Sequence, residues 1–136
     1  MEQTTISYKT TKTFTSPQLK DLFLSVGWLS GNSPDRLVKA MSNSETVFSA
    51  WDGEKLIGLV NALDDGELTA YAHYLLVNPL YQGHGIGSKL LTALKEKYAG
   101  YMYLVLTSES EKTVGFYKKL GFSVVEGAVP MAVIRL

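Results

Sequence analysis

The spacing of apolar residues near the amino end predicts two helices after a short strand. Residues 4–9 alternate weakly between polar and apolar side chains. Leu19 and Leu37 then begin two stripes with helical spacing, each preceded by a serine–proline pair, Ser16-Pro17 and Ser33-Pro34. Serine is preferred at the N-cap and proline at the first helical position. We therefore expect Ser16 and Ser33 to cap two consecutive helices.

From residue 46 the pattern is typical of strands. Residues 46–51, 55–63 and 68–77 are rich in β-branched and apolar side chains. Asp52-Gly53 and Asp64-Asp65-Gly66 separate them, and such pairs favour tight hairpin turns. Because short turns join antiparallel neighbours, we predict a three-strand antiparallel meander.

The rest of the chain alternates between helices and strands. Helices are predicted over residues 88–98 and 111–120, and strands over 101–107, 122–126 and 131–136. Joined to the meander, these elements predict a mixed sheet with helices on its faces. The expected class is α/β, of the mixed α+β kind.

Length and composition narrow the class of protein. A chain of 136 residues fits one domain, so we expect a single domain over residues 1–136. Thirteen basic and thirteen acidic side chains balance, which indicates neither nucleic acid nor a membrane surface as partner. The absence of cysteine excludes disulfides and an acyl-cysteine intermediate. Without an apolar stretch of membrane-spanning length or a secretory signal, a cytoplasmic protein is expected.

Three alternate glycines between a predicted strand and a predicted helix favour an anion site. Gly83, Gly85 and Gly87 allow positive φ and a close backbone approach, so that successive amides can face one concavity. The following helix adds its unpaired amides and its positive dipole end. The loop therefore suits a phosphate or a diphosphate. A glycine-rich turn that only joins strand to helix is the structural alternative.

Two other phosphate motifs fit this loop less well. A Walker A loop needs a Gly-Lys-Ser/Thr ending that the chain lacks. The dinucleotide motif Gly-x-Gly-x-x-Gly would need its third glycine at Ser88, although Glu109 lies roughly where a ribose-binding acid belongs. Too few residues follow Glu109 to complete a doubly wound domain. A dinucleotide-dependent redox domain stays as an alternative.

Two motifs in order resemble those of the GNAT superfamily of N-acetyltransferases. Gln82-Gly83-His84-Gly85-Ile86-Gly87, after Val77-Asn78-Pro79, matches the acetyl-CoA motif Gln/Arg-x-x-Gly-x-Gly/Ala. The segment from Gly115 to Phe122 is similar to the family signature Phe/Leu-Tyr-x-x-x-Gly-Phe. The resemblance implies a mainly antiparallel mixed sheet of about six to seven strands, splayed between the fourth and fifth, with about four flanking helices.

The resemblance also implies an activity. An acetyl group would pass from acetyl-CoA directly to a primary amine of a small molecule or peptide, without a metal. An acyl-CoA-binding sensor that does not transfer the group is the alternative. The apolar final strand is compatible with a homodimer, and the identity of the amine stays open.

By the same resemblance, the glycine loop would bind the diphosphate of coenzyme A and the end of the preceding strand its pantetheine arm. Ser110 stands where the family often has asparagine, so that a hydroxyl would replace an amide contact to the arm. The predicted cofactor-binding residues are Leu75, Leu76, Val77, Gln82, Gly83, His84, Gly85, Ile86, Gly87, Ser88, Ser110 and Tyr117.

Two side chains are candidates for proton transfer. Tyr117 matches the general acid of the family, and a phenol of pKa ~10 can share its proton with a thiolate of pKa ~8.5. A core tyrosine on an amphipathic helix is the alternative. His73 has a suitable pKa for a base, and strand alternation would place it and Tyr74 on opposite faces. A histidine packed on the sheet is the alternative. The family resemblance further implies that residues 28–32 form part of the acceptor pocket.

Overall fold

Strands and helices follow the predicted order in a computed structural model that describes residues 5–135. The chain divides into two compact units, Met1–Val105 and Leu106–Leu136. The expectation of a single domain stays a prediction. The first unit contains β1 (Ile6–Lys9), α1 (Ser16–Ser25), α2 (Pro34–Asn43), β2 (Thr46–Asp52), β3 (Lys55–Asp64), β4 (Thr69–Val77), α3 (Ile86–Lys97) and β5 (Tyr103–Val105). The second contains α4 (Glu111–Lys119).

The five strands form one sheet in the order β1-β2-β3-β4-β5. The first four are antiparallel neighbours, and β5 runs parallel to β4, which confirms the meander and the mixed sheet. Pairing between β4 and β5 begins at Thr69–Tyr103 and ends at Tyr71–Val105. From Ala72 to Val77, β4 continues without a β5 partner. The sheet therefore opens between its fourth and fifth strands, as the family resemblance implies.

The described residues correct the expected six or seven strands to five. Residues 122–126 and 131–135 belong to no ladder, and Leu136 lies outside the described residues. Val125 and Val133 on this segment are more than two thirds exposed. A β-branched apolar run becomes a strand only where a neighbouring backbone pairs with it, and sequence pattern alone does not supply that neighbour.

Helices cover both faces of the sheet. The middle of β3 is buried continuously from Leu56 to Ala62, as expected of a strand covered on both sides. On one face a Cβ at Gly58 would lie 3.4 Å from Leu90 of α3. On the other, Leu59 belongs to a core cluster with Phe23 of α1 and Met41 of α2. The predicted apolar stripes of all three helices are therefore confirmed as core.

Two helix starts differ from the prediction. The N-cap of α1 is Thr15 rather than Ser16, because Gln18 completes a capping box with Thr15. The Gln18 amide donates to Thr15 Oγ1 at 3.3 Å and the Thr15 amide donates to Gln18 Oε1 at 2.9 Å. Ser33 occupies the N-cap position of α2, with Pro34 first in the helix, but its side chain makes no capping bond. The start of α3 at Ile86 is two residues earlier than expected.

No helix within residues 5–135 combines the length and the apolar character that a membrane span requires.

Candidate active site

The segment between β4 and α3 is anchored to the sheet before the glycine loop begins. The Asn78 amide donates to the Ile57 carbonyl at 2.8 Å, and Asn78 Oδ1 accepts from the Leu80 amide at 3.0 Å. A short 3₁₀ helix follows over Pro79–Tyr81. The Tyr81 hydroxyl donates to the carboxylate of Asp52 at the end of β2. The loop therefore starts from a point held by two strands.

Two glycines of the loop have backbone angles that other residues adopt only with strain. Gly83 has φ +84° and Gly85 has φ +79°. A Cβ at either position would meet nothing within 4 Å, so the requirement for glycine is conformational rather than steric. Gly85 is the N-cap of α3 and no side chain caps this helix end.

The amino end of α3 presents unpaired amide donors. The first bond across the start of the helix runs from the Lys89 amide to the Gly85 carbonyl, at 3.0 Å. The amides of Ile86, Gly87 and Ser88 precede that bond and have no helical acceptor. Donors at a helix start, together with the helix dipole, suit an anion such as a diphosphate.

The earlier start of α3 redistributes the predicted loop residues. Gly87 lies in the first helical turn rather than in the loop, and Ser88 is the third residue of the helix rather than the first. Ile86 is buried and packs 3.5 Å from the position of a Cβ at Gly58, which fixes α3 on the sheet. His84 lies in the loop and is exposed.

The last residues of β4 leave polar backbone groups on the side away from β3. Because amides alternate between strand edges and the Asn78 amide points to β3, that of Leu76 also points there. The amides and carbonyls of Leu75 and Val77 therefore face the opposite edge. Gln82 Nε2 donates to the Val77 carbonyl at 3.0 Å, so this side chain closes the end of the edge.

A β-bulge in β4 lies at the candidate base. Cα pairing between β3 and β4 shifts by one residue between Val60 and Ala62, so that His73 and Tyr74 together oppose Asn61. The Tyr74 amide donates to Asn61 Oδ1 at 2.9 Å in place of a backbone acceptor. Asn61 Nδ2 donates to Ser44 Oγ at 3.1 Å. A buried side chain therefore holds the bulge.

The bulge overturns the expected alternation of His73 and Tyr74. Their ring centroids are 4.1 Å apart, a contact between neighbours that a regular strand does not allow. His73 Nδ1 also lies 3.1 Å from the Tyr71 hydroxyl. The prediction that His73 and Tyr74 lie on opposite faces of the strand is therefore wrong, because the extra residue of the bulge interrupts the alternation.

The environment of His73 keeps its ring neutral near pH 7. Desolvation by its surroundings lowers the pKa of His73 from the usual value of 6.5, although much of the residue remains accessible. A lowered pKa means that the neutral form predominates at pH 7. An imidazole in this form can accept a proton.

Aromatic side chains continue from His73 toward the loop between α1 and α2. Tyr74 contacts Phe23 of α1 edge-to-face at 4.9 Å between centroids, and Trp28 at 5.8 Å. The Tyr74 hydroxyl lies 3.1 Å from Ser30 Oγ, in a 3₁₀ helix over Leu29–Asn32. Trp28 is only partly buried against the core, so it both anchors the loop and leaves part of its surface accessible.

Asn61 is a site residue that sequence reasoning missed. The available signal was a single amide side chain within the apolar run of β3. Asn61 is 3% exposed and hydrogen-bonded on both sides, as a buried polar group must be.

Replacing Asn61 is therefore expected to destabilise the fold and the bulge. Asn61→Leu leaves the Tyr74 amide without its acceptor, which costs about 1–3 kcal/mol. Urea unfolding, followed by circular dichroism, measures this change in the free energy of unfolding. The matched variant Asn32→Leu, in the loop before α2, is expected to change stability by less than about 0.5 kcal/mol. Equal stability of the two variants would contradict the role given to Asn61.

The second unit places the other two predicted residues on α4. Ser110 is the N-cap of this helix, and its hydroxyl makes no capping bond. Gly121, at φ +94°, ends the helix: its amide donates to the Lys118 carbonyl at 3.1 Å, and that of Phe122 to the Tyr117 carbonyl at 3.1 Å. These two bonds form a Schellman motif.

The helix end explains part of the Tyr-x-x-x-Gly-Phe signature structurally. It brings the ring of Phe122 to 5.9 Å from that of Tyr117, in an edge-to-face contact. Desolvation, followed by the negative charge of Glu109, raises the pKa of Tyr117 above 10. The phenol therefore keeps its proton at neutral pH and is available as a donor.

Within residues 5–135 no group of three or more His, Cys, Asp or Glu side chains is placed to hold a metal ion.

The fold and the glycine loop define an α/β protein with an uncapped helix start, suited to an anion, beside an opened sheet. The Acetyltransferase (GNAT) family model matches residues 15–122, most of the chain. The chain therefore belongs to the GNAT family and is an N-acetyltransferase, with acetyl-CoA as the co-substrate that the family implies.

Known proteins agree with this family. An "Uncharacterized N-acetyltransferase ycf52-like" of Prochlorococcus marinus is 28% identical over 90% of this chain and 70% of its own length. The spermidine N(1)-acetyltransferase of Escherichia coli K12 is 35% identical over 54% of this chain and 42% of its own. A solved GNAT family protein of Streptococcus pneumoniae superposes with a TM-score of 0.82 at 30% identity, covering 96% of this chain and 98% of the other.

Proposed function

We propose that this N-acetyltransferase transfers acetyl directly from acetyl-CoA to a primary amine, and that the loop–α3 junction binds the diphosphate. The observation that carries the proposal is the uncapped start of α3, whose N-cap is Gly85. The glycine loop connects this helix start to the free edge of β4. The free amides of Ile86, Gly87 and Ser88 match the acceptor oxygens of a diphosphate.

The pantetheine arm would pair with the free edge of β4. Its amide groups need backbone donors and acceptors in an extended arrangement, which Leu75 offers between the bulge and the glycine loop. The Leu75 amide would then be placed to donate to the thioester carbonyl as negative charge develops on its oxygen. Binding the diphosphate far from the reacting carbon orients the thioester, and orientation lowers the barrier.

The chemical step needs two proton transfers. The neutral amine attacks the thioester carbonyl carbon, a C–N bond forms, and the C–S bond of the resulting tetrahedral intermediate breaks. His73, directly or through water, accepts the proton that the amine loses. Tyr117 donates its proton to the departing thiolate, and Ser110 would contact the arm. The lowered pKa of His73 and the raised pKa of Tyr117 give both groups the required protonation states near pH 7.

Replacing His73 is expected to change the pH dependence of turnover. Only the neutral imidazole accepts a proton, so the wild-type kcat/KM, which reports the free enzyme, should rise with pH through a pKa below 6.5. His73→Gln should lower kcat about 100-fold and abolish this acid limb. Tyr71→Phe keeps the imidazole and should retain the limb with a smaller loss. An unchanged profile in His73→Gln would show that another group is the base.

The acceptor is a primary amine of a small molecule or peptide. The aromatic groups Trp28, Tyr74 and His73 would line the path by which the amine reaches the thioester. The faces of such rings attract cationic amines, and their apolar area packs against the alkyl part of the substrate. The spermidine enzyme among the relatives makes an alkyl polyamine a reasonable first probe.

Release of coenzyme A in the presence of different amines tests the proposal. Spermidine, an arylalkylamine and a lysine peptide would be compared, with thermal shifts by acetyl-CoA, coenzyme A and NAD measured in parallel. We expect acetyl-CoA and coenzyme A to raise the melting temperature, and at least one of the amines to be acetylated. Stabilisation without turnover for any amine favours an acyl-CoA sensor, and stabilisation by NAD alone contradicts the diphosphate assignment.

A further inference from the structure

The Tyr74 hydroxyl connects β4 to the 3₁₀ helix over Leu29–Asn32, which lies between α1 and α2. It is 3.1 Å from Ser30 Oγ, and the pair is partly buried, so water competes weakly for this hydrogen bond. The Tyr74 ring contacts Phe23 of α1 edge-to-face. The proposed acetyl-transfer step does not use the hydrogen bond, yet it joins two segments that are 44 residues apart in sequence.

The backbone of Tyr74 makes a second connection. Its amide donates to Asn61 Oδ1 at 2.9 Å, and Asn61 Nδ2 donates to Ser44 Oγ at 3.1 Å. Ser44 is the C-cap of α2, and its hydroxyl donates to the Ala40 carbonyl in the last turn of that helix at 2.8 Å. The 3₁₀ helix precedes α2 and Ser44 follows it. Tyr74 is therefore linked to the segments at both ends of α2.

The 3₁₀ helix fits closely against α1. Gly31 is buried, and a Cβ at this position would lie 2.8 Å from the Leu24 side chain and 3.1 Å from the Leu24 amide nitrogen. Even a methyl group would require one of the two segments to move. The Gly31 amide donates to the Trp28 carbonyl at 3.0 Å, so Trp28 belongs to the same packed turn. The contact with Leu24 and the bond to Tyr74 therefore both define the position of this turn.

One aromatic ring touches both the candidate base and this turn. The Tyr74 centroid is 4.1 Å from that of His73 and 5.8 Å from that of Trp28. The bulge in β4 allows His73 and Tyr74 to touch although they are neighbours in sequence. The position of Trp28 relative to the imidazole is therefore set through the Tyr74 side chain.

We propose that Tyr74 is a positioning residue for the amine, and that its hydroxyl holds Ser30, and with it Trp28, in a fixed place relative to His73. The inference rests on the proposed function, in which His73 accepts the proton and Trp28 contacts the amine. With the turn already fixed, the amine binds without the entropic cost of ordering it. Tyr74 itself takes up no proton. Loss of its hydroxyl should therefore weaken amine binding and leave the chemical step unchanged.

Tyr74→Phe tests the proposal because it removes the hydroxyl and keeps the ring. The amine is the one turned over fastest among spermidine, an arylalkylamine and a lysine peptide. We expect its KM to rise about two- to tenfold, the range for one hydrogen bond, while kcat and the affinity for coenzyme A change little. The acid limb of kcat/KM, which His73 causes, should persist. An unchanged KM overturns the proposal, as does a fall in kcat alone, which would place the hydroxyl in the chemical step.

Ser30→Ala removes the other partner of the hydrogen bond. It should raise KM for the same amine by a similar factor. The double variant Tyr74→Phe/Ser30→Ala should be no worse than either single variant, because all three lose the same bond. Effects that multiply in the double variant would show that the two hydroxyls act separately, and would overturn the proposal.

Tyr98→Phe is the matched control for loss of a tyrosine hydroxyl. The Tyr98 hydroxyl also bonds to a hydroxyl of a distant segment, Thr46 Oγ1, at 2.7 Å in buried surroundings. Tyr98 is the C-cap of α3 and has no part in the proposed path of the amine. This variant should lose stability in urea without a change in KM. An equal rise in KM for both tyrosine variants would indicate a general effect of lost stability and would overturn the proposal.

Hydrogen exchange tests the Ser30–Tyr74 bond without any amine. The amides of Gly31 and Ser33 donate to the carbonyls of Trp28 and Ser30 at 3.0 Å each, so their exchange reports opening of the 3₁₀ helix. Exchange should be faster in Tyr74→Phe and in Ser30→Ala than in the wild type, and unchanged in Tyr98→Phe. Unchanged exchange in Tyr74→Phe overturns the proposal. Faster exchange without acetylation of any amine would contradict the proposed function and support the role of the bond in holding the turn.

Discussion

Tyr117→Phe is expected to lower kcat by about 100- to 10,000-fold while the affinity for coenzyme A changes little. The variant retains the ring that packs 5.9 Å from Phe122 and 5.2 Å from Phe116, so α4 keeps its packing. Only the hydroxyl is lost. Without it the thiolate must leave without its proton donor. Release of coenzyme A under saturating substrates measures kcat, and calorimetric titration measures affinity.

An exposed tyrosine on β1 serves as the control for this change. Tyr8→Phe removes a hydroxyl from a residue that is 41% exposed, and it keeps the ring, whose centroid lies 5.2 Å from Lys89 Nζ. Its turnover should equal that of the wild type. If Tyr117→Phe also turns over at the wild-type rate, Tyr117 is a packing residue, and the Schellman contact with Phe122 is its whole role.

Gly85→Val should weaken coenzyme A binding at least about tenfold, equivalent to ~1.4 kcal/mol. Gly85 has φ +79°, and a β-branched residue reaches that conformation only at a cost of about 1–3 kcal/mol. Relief of the strain would rotate the backbone at the start of α3. The amides of Ile86 and Gly87 would then no longer converge on one anion. Calorimetric titration with coenzyme A measures the loss.

The turn between β3 and β4 supplies a matched control. Gly66 has φ +81°, and, as at Gly85, a Cβ there would meet nothing within 4 Å. Gly66→Val therefore imposes the same backbone strain away from the loop. It should lower the melting temperature about as much as Gly85→Val without changing affinity. Similar affinities for the two variants would remove the diphosphate from the glycine loop.

The element order could be predicted because its causes are local. Apolar spacing placed α1, α2 and the meander, and the turn residues at 52–53 and 64–66 joined the strands correctly. The glycine loop was recognisable for the same reason. Positive φ at Gly83 and Gly85 is a property of single residues, and a helix start needs only its own backbone.

Local rules failed where two candidates competed. Ser16 and Thr15 are both good N-caps, and the choice of Thr15 depended on the reciprocal bond with Gln18. The prediction of the two closing strands failed for a different reason. Residues 122–126 have the composition of a strand, but a ladder needs a partner that composition does not identify.

The residue pattern was sufficient to predict the order of helices and strands up to α4, the glycine loop and the candidate acid and base. Tertiary structure alone decided the bulge held by Asn61, the contact between His73 and Tyr74, and the end of β4–β5 pairing at Tyr71. The reason is physical. Spacing and backbone preference act between near neighbours in the chain, whereas register, bulges and strand pairing are set by contacts between residues distant in sequence.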